Sequence, residues 1–360
     1  MLKGHGGNIY ALAQKLGCPV KKIIDMSSNL NPLGPPAGLI DYLAKQINVI
    51  TCLPEVDSSR IISLFAKKHK INPATVLAAG GTTQLIYALP GILKAKKVLI
   101  LGPTYADYED ACIISKTPYS YFMSKAKNDF ETDINELEKL LPDFDTIFIC
   151  NPNNPTGKLI LGDRLKKLCA AFPQTRFIID ESYLPFINQY ERHSMLGADL
   201  PNLLILNSMS KIFKIPGLRI GFLIAPAGII SEFRRHLLPW SVNSLAQTAI
   251  SYLLEQSAFI DDYIIETQEF IKKEKIIFLK HLENYPELTP CSGLTPFILI
   301  KLDPALKAEK ICGILGEKKI LIRNCANFKG LSNQFIRIAL KNHEENILLA
   351  QALKSLGKDD

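Results

Sequence analysis

The sequence predicts an α/β fold, with a mainly parallel central sheet flanked by helices and a smaller α+β domain after it. Three observations lead there. Short apolar runs alternate with longer amphipathic stretches through the middle of the chain, and runs apolar on both faces are what a helix-covered parallel sheet requires. After about residue 256 the pattern changes to one long helical stretch followed by two further apolar runs. A chain of 360 residues also exceeds what one small core suits, which favours a second unit.

The strands follow in order as "KKVLILGP" (96–103), "FDTIFICNP" (144–152), "TRFIIDESY" (175–183), "NLLILNS" (202–208) and "LRIGFLIAP" (218–226), each ending in a polar or proline-containing turn. Helical patterns such as "DRLKKLCAAF" (163–172) lie between them. "DYIIETQEFIKKEKIIFLKHLE" (262–283) reads as a helix leading to "TPFILIKL" and "FIRIAL", the strands of the smaller domain. The expected division is residues 46–255 for the large domain, 256–360 for the small one, and 1–45 as an N-terminal segment packing with the latter.

Composition excludes several classes. With 47% hydrophobic and 21% charged residues the chain reads as an ordinary globular protein. No run approaches the roughly 18 apolar residues of a membrane span, and "MLKGHGGNIY" lacks the apolar core of a signal peptide, so a cytoplasmic protein without a membrane partner is expected. The eight cysteines form no CxxC pair; neither structural zinc nor a disulfide framework is expected, and no other metal. The formal charge of +7 is spread among acidic residues rather than gathered in a stripe, which suits an anionic small molecule better than nucleic acid.

Ligands of such sheets sit at the carboxyl ends of the strands, where Tyr105, Asn154, Asp180, Tyr183, Ser208 and Lys211 fall. "NPNNPTG" (151–157) reads at minimum as a tight turn. In "DESY" (180–183) alternation turns Asp180 and Glu181 to opposite faces, so they make a poor acid–base pair. Asp180 suits either a helix N-cap or a buried cation such as a protonated pyridine nitrogen. In "AAGGTTQLIYAL", Gly81, Thr82 and Thr83 open an apolar helix, where backbone amides, hydroxyls and the helix dipole suit a phosphate. "NSMSKIFKIPGLRIGF" (207–222) holds two lysines, Lys211 and Lys214, ahead of Arg219.

Taken in order, Gly81-Thr82-Thr83, Tyr105, Asn154, Asp180, Tyr183, Ser208, Lys211 and Arg219 resemble the fold-type-I pyridoxal-phosphate enzymes. The resemblance implies that Lys211, which fits the Ser-x-Ser/Thr-Lys pattern through Ser208 and Ser210, holds pyridoxal 5'-phosphate as a Schiff base, whereas Lys214 falls outside it. By the same resemblance Asp180 pairs with the pyridine nitrogen, Asn154 and Tyr183 bond the ring hydroxyl, Tyr105 stacks on the ring, and Gly81, Thr82, Thr83, Ser208, Ser210 and Arg219 surround the phosphate. Lys211, Asp180 and Tyr105 are the catalytic candidates.

"HGGNIYALAQKLG" (5–17), "DMSSNLNPLG" (25–34), "PWSVNSLA" (239–246) and "ILIRNCANFKGLSNQFIRIAL" (320–340) are similar to the threonine-phosphate decarboxylases of cobamide biosynthesis, more than to the related histidinol-phosphate aminotransferases. This implies a homodimer that decarboxylates O-phospho-L-threonine or O-phospho-L-serine to the amino-alcohol phosphate. Arg337 and Asn154 would take the carboxylate, and His5, Gly6, Asn29 and Arg323 would complete the pocket. An aminotransferase of a phosphorylated amine, or a non-enzymatic module that kept the fold, stays open as an alternative. Relatives carry a Tyr-Pro-Asp-like turn reaching the neighbouring subunit's cofactor phosphate. Here "CLPEVDSSR" has Leu53 before Pro54, and leucine cannot make that hydrogen bond.

Overall fold

The computed structural model describes residues 6–354. A seven-stranded sheet runs in the order β2 (Val76–Ala79), β8 (Gly221–Ile224), β7 (Leu203–Asn207), β6 (Arg176–Asp180), β5 (Thr146–Cys150), β3 (Val98–Gly102) and β4 (Tyr119–Met123). Its central strands are apolar and buried along their length, because helices cover both faces and leave no solvent side for polar residues. The five strands read from the sequence are all present. The edge strands β2 and β4 were missed, and Tyr119–Met123 is the one strand of the set that is half exposed.

The expected parallel sheet has one exception. β8 runs antiparallel to both β2 and β7. The start of β8 therefore lies at the same edge as the carboxyl ends of its neighbours, and Arg219, just before it, joins residues that follow their strands.

A second sheet is antiparallel, in the order β12 (Arg323–Asn324), β13 (Phe335–Ala339), β10 (Phe297–Leu302) and β9 (Leu288–Pro290). β1 (Ile24–Asp25) pairs in parallel with β11 (Ile320–Leu321) beside it. Leu39 belongs to the core of the large sheet, while Met26 belongs to that of the small one. The helix Ser257–Leu282 bridges the two, burying Ile260 and Ile264 in the first core and Phe278 and Leu282 in the second. No helix among the described residues is long and apolar enough to cross a membrane.

Candidate active site

Five strand ends of the large sheet converge. After β2, Gly81 opens the helix Thr82–Ile92 with a φ of 97°, a left-handed conformation that glycine alone adopts without strain. A Cβ built on Gly81 would lie 3.0 Å from Arg219 Nη2, and one on Gly221 would lie 2.5 Å from the Thr82 amide nitrogen. Backbone, helix N-terminus and guanidinium thus come together as a group of donors, the kind of site that holds phosphate. Ser208, buried after β7, stands at the N-cap position of the short helix Met209–Ile212 that carries Lys211, with no capping hydrogen bond from its side chain. The hydroxyl of Ser210 donates to the Ile220 carbonyl at 3.0 Å, so its proton ties that helix to the start of β8.

Asp180 ends β6 in a buried position. Its Oδ2 accepts from Tyr108 Oη at 2.8 Å and its Oδ1 from the Ser182 amide at 2.9 Å. Tyr108 is wholly buried, stacked on Phe148 at 4.9 Å, and burial pushes its hydroxyl pKa well up, so it stays a proton donor. Sequence reasoning passed over Tyr108, which reads as an ordinary core aromatic. Glu181 points the other way, as alternation required, accepting from Ser194 Oγ at 2.8 Å and the Met195 amide at 2.6 Å.

Lys211 Nζ lies 5.1 Å from the ring centroid of Tyr183 and has no ion-pair partner among the described residues. Asn29 Nδ2 donates to Tyr183 Oη at 3.3 Å, while its Oδ1 is buried without a partner. Asn31 ties the same segment to the lysine helix, its amide donating to the Lys211 carbonyl at 3.1 Å and its Nδ2 to that of Ile212 at 2.8 Å. Burial, then the charge of Asp107, pushes the Tyr105 hydroxyl pKa up.

Between the two sheets lies a cavity of about 170 Å³. Of the expected residues, Gly6, Asn29, Tyr105, Asn154, Tyr183, Arg323 and Arg337 line it; His5 lies outside the described residues. Ser27, Ser28, Asn327 and Phe328 line it too. All four fall within the sequence motifs above, but polar loop residues carry no signal of direction and a phenylalanine reads as core. Arg337 is 4% exposed and donates through Nη1 to Asn154 Oδ1 and through Nη2 to the Ser27 carbonyl at 2.5 Å, leaving Nε without a partner. Arg323 Nη2 donates to Asn327 Oδ1 at 2.6 Å and its guanidinium lies over Phe328. Burial lowers the pKa of both arginines, and neither forms an ion pair among the described residues. A buried cation and a half-buried one, neither with an ion-pair partner among the described residues, make a cavity that favours a doubly anionic guest.

Residues 21–353 match the family model for aminotransferases of class I and II. The chain belongs to that family. A bifunctional protein of adenosylcobalamin biosynthesis, CobDQ from Leptospira interrogans, is 35% identical over 99% of this chain, which spans 41% of that relative's length. A threonine-phosphate decarboxylase from Salmonella typhimurium is 30% identical over 98% of this chain and 96% of its own. Among solved structures, an L-threonine-O-3-phosphate decarboxylase from Porphyromonas gingivalis has a TM-score of 0.85 at 27% identity, covering 94% of this chain and 100% of that one.

The family's cofactor is pyridoxal 5'-phosphate, and the residues present fit it. Asp180 is a buried carboxylate held by two donors, with no ion-pair partner among the described residues. The Arg219 guanidinium packs against Gly81 at the N-terminus of the helix that Thr82 opens, gathering donors in one place, and a Cβ at Gly81 would meet that guanidinium. The Lys211 amine faces the same region of the fold over Tyr183.

Proposed function

We propose that this protein is a pyridoxal-phosphate-dependent decarboxylase of an O-phospho-L-amino acid, phosphothreonine or phosphoserine, yielding the amino-alcohol phosphate used in cobamide synthesis. The observation that carries the reading is the pair Arg323 and Arg337, cross-strand partners facing one cavity with Tyr105 and Asn154. A phosphoamino acid brings a carboxylate and a phosphate, one for each guanidinium. Such planar donors bind either group bidentately.

Lys211 would hold the cofactor, Asp180 its ring nitrogen, Asn154 and Tyr183 its hydroxyl, and Tyr105 its face; Gly81, Thr82, Thr83, Ser208 and Arg219 would surround the phosphate. When bound, the cofactor supplies an electron sink for the pair released from a bond at the substrate α-carbon. Arg337 orients the carboxylate through its unpartnered Nε, with Asn154 and Ser27 fixing the rest of the guanidinium. This orientation selects the C–COO⁻ bond rather than C–H, which is how decarboxylation is separated from transamination on one fold. Arg323, with Asn29 and Gly6, takes the phosphate. With the substrate's amine in place of Lys211 on the cofactor, the freed Lys211 Nζ would carry the proton that the α-carbon takes up after the C–COO⁻ bond breaks and CO₂ leaves.

We infer a cytoplasmic homodimer. Leu53, Val56, Leu238 and Trp240 are exposed apolar side chains, two of them 75% exposed, and the Trp240 amide donates to the Val56 carbonyl at 3.2 Å, bringing the two stretches together. A second copy of the chain would cover this surface, with Leu53 making an apolar contact where a tyrosine would bond.

The test is CO₂ release from each phosphoamino acid by the holoenzyme, with the cofactor's visible band followed through turnover. CO₂ with a persistent band is expected. No CO₂ from either substrate, or conversion of the cofactor to its amine form, overturns the reading.

A further inference from the structure

One cluster outside the cavity has no place in the chemistry above. Glu109 lies in the helix Asp107–Ile114, directly after the cavity residues Tyr105 and Ala106. Its Oε1 accepts from Tyr119 Oη at 2.6 Å and its Oε2 from Tyr121 Oη at 3.1 Å. Both tyrosines stand on the edge strand β4, with rings edge to face at 6.2 Å. Into this cage the loop between β12 and β13 inserts Lys329. Its Nζ lies 3.3 Å from Glu109 Oε1, 4.7 Å from the Tyr121 ring centroid and 5.6 Å from that of Tyr119.

An exposed lysine–carboxylate pair alone holds little. Here the lysine side chain is 53% exposed, but the carboxylate is 24% exposed and already aligned by two phenols, and the ammonium also meets two ring faces, which adds the modest attraction of an exposed cation–π contact. Although burial pushes the Glu109 carboxyl up, the hydrogen bonds from Tyr119 and Lys329 outweigh it and hold the pKa below the ordinary range.

The loop that carries Lys329 is a wall of the substrate cavity. Asn327 accepts from Arg323, Phe328 lies under that guanidinium, and both line the cavity. On the other side of Lys329, Gly330 adopts a φ of 88°, and a Cβ there would lie 3.0 Å from Met123 Sδ, so the backbone rests against β4. Phe328 is anchored from below by Phe130, Leu299 and Phe335, contacts that fix its ring but give the loop no polar tie to the large sheet.

We propose that Lys329, caged by Glu109, Tyr119 and Tyr121, is a positioning residue that holds Asn327 and Phe328 in place and thereby sets the cavity's affinity for its phosphorylated substrate. The kinetic half of this inference rests on the substrate assignment above; the structural half does not.

The experiment compares wild-type holoenzyme with K329M, which keeps the stem and removes the charge, and with K329R. Hydrogen exchange of the amides in 325–333 and steady-state kinetics with O-phospho-L-threonine are both read. For K329M, KM is expected to rise about ten-fold while kcat moves less than about two-fold, since loss of wall alignment weakens binding uniformly. Exchange in 325–333 is expected to accelerate, with K329R restoring both readouts. Unchanged exchange and KM in K329M, or a lowered melting temperature as the only effect, overturns the proposal. If the wild type releases no CO₂, the substrate assignment falls, and the exchange comparison still decides whether the cage holds the loop.

Discussion

Arg323 and Arg337 are direct cross-strand partners on β12 and β13, and Arg337 alone also reaches the large sheet's loop through Asn154 and the N-terminal segment through Ser27. The two cations share a cavity but differ in how they are held. Among the described residues the Arg323 side chain is tied only to its own loop, whereas Arg337 joins three segments distant in sequence.

That difference predicts unequal tolerance to lysine. Arg323→Lys keeps a charge near the phosphate and is expected to raise KM about ten-fold. Arg337→Lys loses the fork that spans Asn154 and Ser27, and kcat/KM should fall about a hundred-fold or more. Initial rates of CO₂ release for the two variants check this; equal losses would contradict the distinction.

Lys211 and Lys214 separate in the same way. Lys211→Ala should abolish the visible absorbance of the lysine-bound cofactor together with turnover. Lys214 has a φ of 47° and is half-buried beyond the lysine helix, and Lys214→Ala should keep both. Absorption spectra of the two purified variants decide it, and a reversed result would mean that the motif is registered on the wrong lysine.

Tyr108→Phe removes one donor from the buried Asp180 and leaves its stacked ring in place. Loss of a hydrogen bond to a buried carboxylate costs about 1.5–3 kcal/mol, so urea unfolding of the apoprotein should shift accordingly. Cofactor affinity should fall as well, because Asp180 would no longer be aligned. Fluorescence titration with pyridoxal 5'-phosphate measures this.

Burial raises the pKa of the Glu181 carboxyl to about 7, and the Met195 and Ser194 hydrogen bonds only partly oppose it. A folded pKa above the unfolded value means that the native state binds the extra proton. The contribution of Glu181 to stability is therefore fully present below about pH 4.5 and is lost as pH rises toward 7. At 1.36 kcal/mol per pKa unit the swing is about 3 kcal/mol. Glu181→Gln keeps the neutral shape, so its stability relative to wild type should increase between pH 5 and pH 8, as read by chemical denaturation. A constant difference would show that Glu181 does not titrate in this range.

If the surface of Leu53, Val56, Leu238 and Trp240 is covered by a second copy, charges placed in it should separate the chains. A Leu238→Glu, Trp240→Glu double variant is expected to sediment as a monomer where the wild type sediments as a dimer. A monomeric wild type would remove the dimer inference.

Five of the seven strands of the large sheet were legible because each is a long apolar run that ends in a turn residue, a local signal that a sheet covered on both faces carries; β2, four residues long though buried, offers too short a run. β4 carried no such signal: at the sheet edge, with Tyr119, Tyr121 and Met123 half exposed, it needs neither alternation nor a continuous apolar run. Tyr108 was illegible for another reason. A buried tyrosine reads as core, and only the fold shows that its hydroxyl meets Asp180, 72 residues away in the chain.

By itself the sequence determined the strand ends, the glycine-opened helix start at Gly81 to Thr83, and the order of Asn154, Asp180, Lys211 and Arg219, because turns, caps and strand termini depend on residues close in the chain. The tertiary structure decided what those residues face. It reversed β8 so that Arg219 meets Gly81, set Arg323 opposite Arg337, and brought Lys329 to Glu109. Strand direction, register and loop docking are selected by packing between distant segments, and spacing along one chain does not encode them.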